Sequence, residues 1–190
     1  MAILKISKYP EDEAVLRERC KPVMKITDKT RKLIDDMIDT MYEAAGVGLA
    51  APQVYVNQRI FVYDVGEGPE ALINPEIIQG DGDELGTEGC LSIPRLQGDV
   101  ARRTKLVVTG LNRRGRPVRI TAEDPYLARV FQHEIDHLNG ILFIDKAIQK
   151  SLHWVKEEGE HAGSDEGRKR RRRVVRVRGA EPEAAIAGSE

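Results

Sequence analysis

No run of five residues constrains this chain more than His133-Glu134-Ile135-Asp136-His137. Histidines four apart on an α-helix project from one face, so both can reach a single metal ion. Glu134 then stands beside that ion with its carboxylate placed as a general base. The pattern predicts a helix, and the preceding residues agree, since Leu127, Val130 and Phe131 form a stripe at helical spacing that faces a core. Both histidines fall on or next to that stripe rather than on an open surface.

Two imidazoles leave the site short of the three protein ligands that a catalytic zinc-like ion takes while keeping a position for water. Downstream, Leu138-Asn139-Gly140-Ile141 does not continue into the extended three-histidine pattern. Upstream, Thr87-Glu88-Gly89-Cys90-Leu91-Ser92-Ile93-Pro94 offers a thiol. A cysteine by itself is more often a small buried hydrophobe than a ligand. Gly89, which permits close backbone approach, and the apolar strand beside it favour the ligand reading.

The rest of the chain supplies a frame for one such site. With 190 residues and 41% hydrophobic content, the chain is long enough for one globular core and short for two. A net charge of -1 sets up no global field towards nucleic acid or membrane. No apolar run approaches the roughly 20 residues needed to span a bilayer, and two cysteines, Cys20 and Cys90, are too few for a disulfide scaffold. The plain expectation is a cytoplasmic protein. The spacing of Ile34, Met37, Ile38, Met41 and Ala45 predicts an amphipathic helix over 27–45, capped by Thr27 or Asp28 and stopped by Gly46. Strands are expected over 59–65, 71–79, 105–111 and 117–122, the last two joined by a turn at Asn112–Gly115. The metal-binding helix should open at Asp124–Pro125 and end at Asn139–Gly140, with a third helical stretch over 145–158 closing the core.

Three segments, Gly46-Val47-Gly48-Leu49-Ala50-Ala51-Pro52-Gln53, Glu88-Gly89-Cys90-Leu91-Ser92 and Gln132-His133-Glu134-Ile135-Asp136-His137-Leu138, resemble the signature motifs of the peptide deformylase family, in the family's order. The resemblance spans about residues 1–150. It implies that Cys90, His133 and His137 hold one divalent metal ion and that Glu134 serves as acid and base. It implies an oxyanion site made by the Gln53 side-chain amide and the Leu91 backbone N–H. Main-chain bonds to the peptide fall to Val47, Gly48 and Gly89, and a methionine pocket to Val47, Leu91, Tyr126, Arg129 and His133, with Glu88 paired to Arg102 behind the Cys90 loop. The ordinary alternatives are a loop glutamine, exposed helix positions at Tyr126 and Arg129, and a surface charge pair worth under about 1 kcal/mol. Pro52 occupies a variable position of its motif. Arg129 stands where an apolar pocket residue is common, and its stem is expected to line the pocket while the guanidinium reaches water.

The implied reaction is hydrolysis of the formyl group from the initiator formylmethionine of nascent polypeptides, with release of formate. A thiolate and two imidazoles suit iron(II), the expected physiological ion, as well as zinc, nickel or cobalt. The fold expected is α+β, with antiparallel strands packed around the central helix that carries the HExxH motif, in a catalytic domain over residues 1–158. Residues 159–190 read as a charged, flexible tail. Its eight basic residues between Arg168 and Arg178 invite phosphate, so a ribosome-binding tether and a merely solvated tail both stand. Two rival functions remain at this point: an HExxH metallopeptidase acting on internal peptide bonds, which leaves Cys90 and the Gly46–Gln53 motif without a purpose, and a nucleic-acid-binding protein that uses the arginine run.

Overall fold

A computed structural model describes residues 2–155. The tail expected from residue 159 and its basic run lie outside the described residues, and so does the end of the helix expected over 145–158. Within them, a short helix α1 (Glu13–Leu16) precedes α2 (Asp28–Glu43) and the strands β1 (Gly48–Ala50), β2 (Ile60–Tyr63), β3 (Glu70–Asp81), β4 (Glu84–Cys90), β5 (Ile93–Arg102), β6 (Lys105–Leu111) and β7 (Pro117–Ala122). The helix α3 (Pro125–Leu138), a single turn α4 (Phe143–Lys146) and a two-residue strand β8 (His153–Trp154) complete the order. All strand pairings within the two sheets are antiparallel; one sheet runs β1-β2-β3-β6-β7 and the other β4-β5-β8. The α+β expectation holds.

Each of the two long helices, α2 and α3, begins where a side chain meets its free N–H groups. Thr27 accepts from the Thr30 N–H while the Thr30 hydroxyl accepts from Thr27, closing the start of α2 on both sides. Asp124 accepts from the N–H groups of Tyr126 and Leu127 at 2.8 and 3.1 Å, and Pro125 fills the first turn of α3. The stop of α2 differs from expectation. Ala45, at φ 53°, takes the left-handed position, and Gly46 follows it with its N–H on the Met41 carbonyl. Gly46 is needed for space instead: a Cβ there would sit 2.8 Å from the Leu91 side chain.

The large sheet curls around α3. Phe131, fully buried, meets Tyr63 and Phe61 edge-on with ring centroids 4.8 and 5.5 Å apart. On the other side of β1 and β2, α2 seats Ile34, Met37 and Met41. The β6–β7 hairpin turns through Asn112–Arg116 with Gly115 at φ 78°, as its sequence required.

Two regions differ from what the sequence led us to expect: the strands on either side of the Cys90 turn, which no pattern announced, and the stretch after residue 145. Strands β4 and β5 carry glycines and charges with no clean apolar alternation, because much of β4 faces solvent, so their pattern was silent. The stretch after residue 145 does not continue as a helix. It breaks after Lys146, makes a single 3₁₀ turn at Gln149–Ser151, and runs as β8 along β5, with Ile148 donating to the Asp99 carbonyl and Val155 to that of Arg95. The open edge of β5 offers backbone partners that a helix without an apolar stripe could not match. Among the described residues no helix is long and apolar enough to cross a membrane.

Because Phe131 joins the helix to two strands at full burial, Phe131→Ala is expected to lower stability by about 3–5 kcal/mol in denaturant unfolding, with the slope of the transition unchanged.

Candidate active site

The β4–β5 hairpin delivers Cys90. Its register runs regularly from Glu84↔Arg102 to Gly89↔Gln97, then slips so that Cys90 faces Ile93. Such an irregularity turns the strand and re-aims the side chain that follows. The Cys90 Sγ thereby comes within 3.2 Å of His137 Nε2. The ligand atoms of Cys90, His133 and His137 all lie within 4.8 Å of one another. Donors around one tetrahedral ion with these bond lengths stand about 3.3–3.8 Å apart, so one soft sulfur and two imidazole nitrogens already bracket a position for a single cation.

Electrostatics at Cys90 and His133 fits that use. Burial alone would raise the Cys90 thiol, but His137 and His133 outweigh it and hold the thiol well below its usual range. Burial would likewise lower His133, yet its bonds to Cys90 and Glu88 keep it well above the usual imidazole range. A thiolate beside an imidazolium is a charge-balanced pair from which a cation displaces a proton. Glu134 is different. Burial pushes its carboxyl up to about 7 against the pull of His133 and His137, and its Oε2 is buried with no hydrogen-bond partner. Gly48 makes that position possible, since a Cβ there would lie 2.4 Å from Glu134 Oε1.

Behind the three groups sits Glu88, 6% exposed. Its two oxygens accept from Arg102 Nε and Nη2 at 2.8 and 2.9 Å, from Arg129 Nη1 at 2.9 Å, and from His133 Nδ1 at 2.9 Å. Burial would raise this carboxyl, but Arg102 and His133 hold it well below the carboxylate range. Being ionised, it can only accept, so His133 Nδ1 carries a hydrogen, and Nε2 is the nitrogen left to give up its proton to a cation at the centre. Arg102 is 3% exposed and also pairs with Asp136, which Lys146 meets at 2.7 Å. The pair Glu88–Arg102 is thus a buried network and not a surface ornament.

Gln53 stands opposite. The Ala50 N–H donates to its Oε1 at 2.8 Å, which orients the amide so that Nε2 faces Ser92 Oγ at 3.1 Å and Cys90 Sγ at 3.5 Å. Val47, Gly48, Gln53, Glu88, Gly89, Cys90, Leu91, Tyr126, Arg129, His133 and Glu134 line one cleft of about 680 Å³, while His137 and Arg102 lie behind it. Tyr126 is at the rim, half exposed.

The expectation for Arg129 needs correction. Its stem does line the cleft, but the guanidinium does not reach out to water: besides Glu88 it donates to the carbonyls of Glu84, Gly86 and Val100 at 3.0, 3.2 and 2.8 Å. The ionised Glu88 and three carbonyls of the hairpin form a cradle that bulk solvent cannot better. Gly86 leaves room for it, because a Cβ there would lie 2.7 Å from Arg129 Nη2. Asp136 and Gly86 were missed by sequence reasoning. Asp136 sits at an unassigned place inside the HExxH run, and nothing near Gly86 signals a partner on another element.

The family model for polypeptide deformylase matches residues 3–153. The chain belongs to the polypeptide deformylase family. A peptide deformylase of Halothermothrix orenii is 58% identical over 151 residues, covering 78% of this chain and 96% of that protein. One from Symbiobacterium thermophilum is 55% identical over 163 residues, or 84% of this chain and 73% of the relative. Among solved structures, the deformylase of Thermotoga maritima superposes with a TM-score of 0.74 at 47% identity, covering 77% of this chain and 99% of that one. That of Synechococcus elongatus in complex with actinonin gives 0.73 at 43% identity, over 77% and 80% of the two chains. Deformylases are metal-dependent hydrolases that act on formylated peptides and remove the N-formyl group from the initiator methionine, and this chain is one of them. The internal-bond peptidase and the silent nucleic-acid binder are set aside with that result.

Arg102→Met strips Glu88 and Asp136 of a shared buried cation. At pH 7 urea unfolding should show a loss of about 3–5 kcal/mol. Because the folded-state pKa of Glu88 is depressed, the stability it contributes is present above about pH 4.3 and lost as pH falls below it, so the gap between variant and parent should narrow on acidification.

Proposed function

We propose that Cys90, His133 and His137 hold one divalent ion, iron(II) in the cell, with zinc, nickel and cobalt as substitutes, and that Glu134 is the acid and base of deformylation. The observation that carries this reading is the meeting of three unlike ligand atoms within 4.8 Å beside a buried carboxyl with an unpartnered oxygen. Bound there, the ion supplies Lewis acidity, lowering the pKa of a water and polarising the formyl carbonyl.

The remaining steps belong to the chain. Glu134 Oε2 takes a proton as the water oxygen bonds to the formyl carbon, then delivers it to the methionine nitrogen as the C–N bond breaks, leaving formate and a free amino terminus. Its pKa, raised by burial in the absence of a cation, moves down when positive charge arrives, so it is ready to accept. The Gln53 amide and the Leu91 N–H receive the developing oxyanion; the Ala50 bond to Oε1 holds that amide in place before the charge appears. Gly89 at the strand edge, with Val47 and Gly48 across the cleft, takes the peptide backbone as an added strand. The methionine side chain enters between Val47, Leu91, Tyr126 and the stems of Arg129 and His133, an apolar lining suited to an unbranched thioether.

We place this reaction in the cytoplasm, on peptides emerging from the ribosome, with the basic run Arg168–Arg178 as a phosphate-seeking tether. Removing residues after Gly159 is expected to reduce ribosome co-sedimentation at low salt without changing turnover of a free peptide, and unchanged co-sedimentation would sink the tether.

Formate release from formyl-Met-Ala-Ser, measured anaerobically with iron(II) or nickel supplied, should fall by about 10²–10⁴ in Glu134→Ala with metal content unchanged. Loss of metal along with rate would instead place Glu134 among the ligands.

A further inference from the structure

The residue next to the site that the reading above leaves unused is Lys8. It precedes every motif, lines the cleft, and is partly buried. Long cationic side chains at such positions ordinarily extend to water. Lys8 does the reverse, and its Nζ donates to the Leu91 carbonyl at 2.6 Å.

That carbonyl belongs to the same peptide unit as the Ser92 N–H, and the Ser92 N–H points at Cys90 Sγ from 3.4 Å. An ammonium on the oxygen of an amide draws charge towards it and makes the N–H at the other end a stronger donor, as in any polarised hydrogen-bond chain. Besides the two imidazoles, of which His137 Nε2 lies at 3.2 Å, the sulfur accepts from Gln53 Nε2 at 3.5 Å. We propose that Lys8 is a positioning residue for the metal-site thiolate, acting on Cys90 through the Leu91–Ser92 peptide unit.

The backbone around Lys8 does not need its charge. Ser7 donates from both N and Oγ to the Gln53 carbonyl at 2.8 and 3.1 Å, and the Tyr9 N–H donates to the Ser92 carbonyl at 2.9 Å. The Lys8 N–H itself goes to Asp12. These bonds clip the amino-terminal segment to both the Gln53 turn and the Cys90 loop, leaving the ammonium free to act electrostatically. A thiolate that receives a stronger N–H donates less charge to a bound cation, which then withdraws more from the formyl carbonyl.

This inference rests on Cys90 being a ligand, and the test separates the two. Cobalt(II) is loaded into the full chain, and the near-ultraviolet thiolate-to-metal absorption is compared between the parent, Lys8→Met and Lys8→Arg, with kcat and KM for formyl-Met-Ala-Ser. Lys8→Met is expected to move the band to longer wavelength and lower kcat about tenfold at unchanged KM, and Lys8→Arg to restore both. A parent protein without a thiolate band overturns Cys90 ligation and the relay with it. A normal band that Lys8→Met leaves in place overturns the relay alone, whatever happens to the rate, and a raised KM with unmoved kcat assigns Lys8 to peptide binding instead. Should Lys8→Met fail to fold, Lys8→Gln against Lys8→Arg reads the same band.

Discussion

A single carboxylate, that of Glu88, ties the catalytic half of the molecule together. It comes from β4, yet its partners sit on β5 (Arg102) and α3 (Arg129 and His133), so one side chain joins hairpin to helix. A carboxylate this deeply buried is tolerable only when its lone pairs are met, and four N–H donors meet them here. Since Cys90 follows Glu88 by two residues, the bond that orients His133 also sets how far the thiol can drift from it. The spacing of the three candidate ligands is therefore set by an ion-pair network as much as by those side chains themselves.

The carboxyl of Glu134, proposed above as the acid and base, receives the opposite treatment. Glu134 is adjacent to His133 in sequence and as buried as Glu88, but it has no cation of its own and one oxygen without a partner. Burial then works on it unopposed enough to raise its pKa to about 7, where a group can both take and return a proton. Two glutamates on neighbouring elements are thus driven in opposite directions, one to permanent charge and one to exchange.

How much of this could be read from residues alone follows from what each feature depends on. The α3 helix and its two histidines were legible because period 3.6 is a local property, and Thr27, Asp124 and Gly115 were legible because caps and turns are short-range chemistry. Cys90 was legible only through its motif, since its approach to His137 depends on a strand irregularity that composition does not encode. Strand β4 was silent because most of it is exposed, and β5 because its alternately buried positions Gly98, Val100 and Arg102 are not a run of apolar side chains. The third helix failed because the open edge of β5, distant in sequence, competes for the same backbone groups. Arg129 was misplaced for a related reason: on a helix it reads as a cation seeking water, and the carbonyl cradle it occupies exists only after the hairpin folds across.

That cradle has a consequence for how the chain can diverge. Gly86 and Arg129, 43 positions apart, occupy one volume, and the first must stay without a side chain for the second to keep its bonds. A change at residue 86 to anything larger strands the guanidinium and reopens a demand on Glu88, whereas a shorter residue at 129 releases residue 86 from its restriction. A side chain at residue 86 and the present pose of Arg129 exclude each other, so a substitution at one position changes what the other can hold.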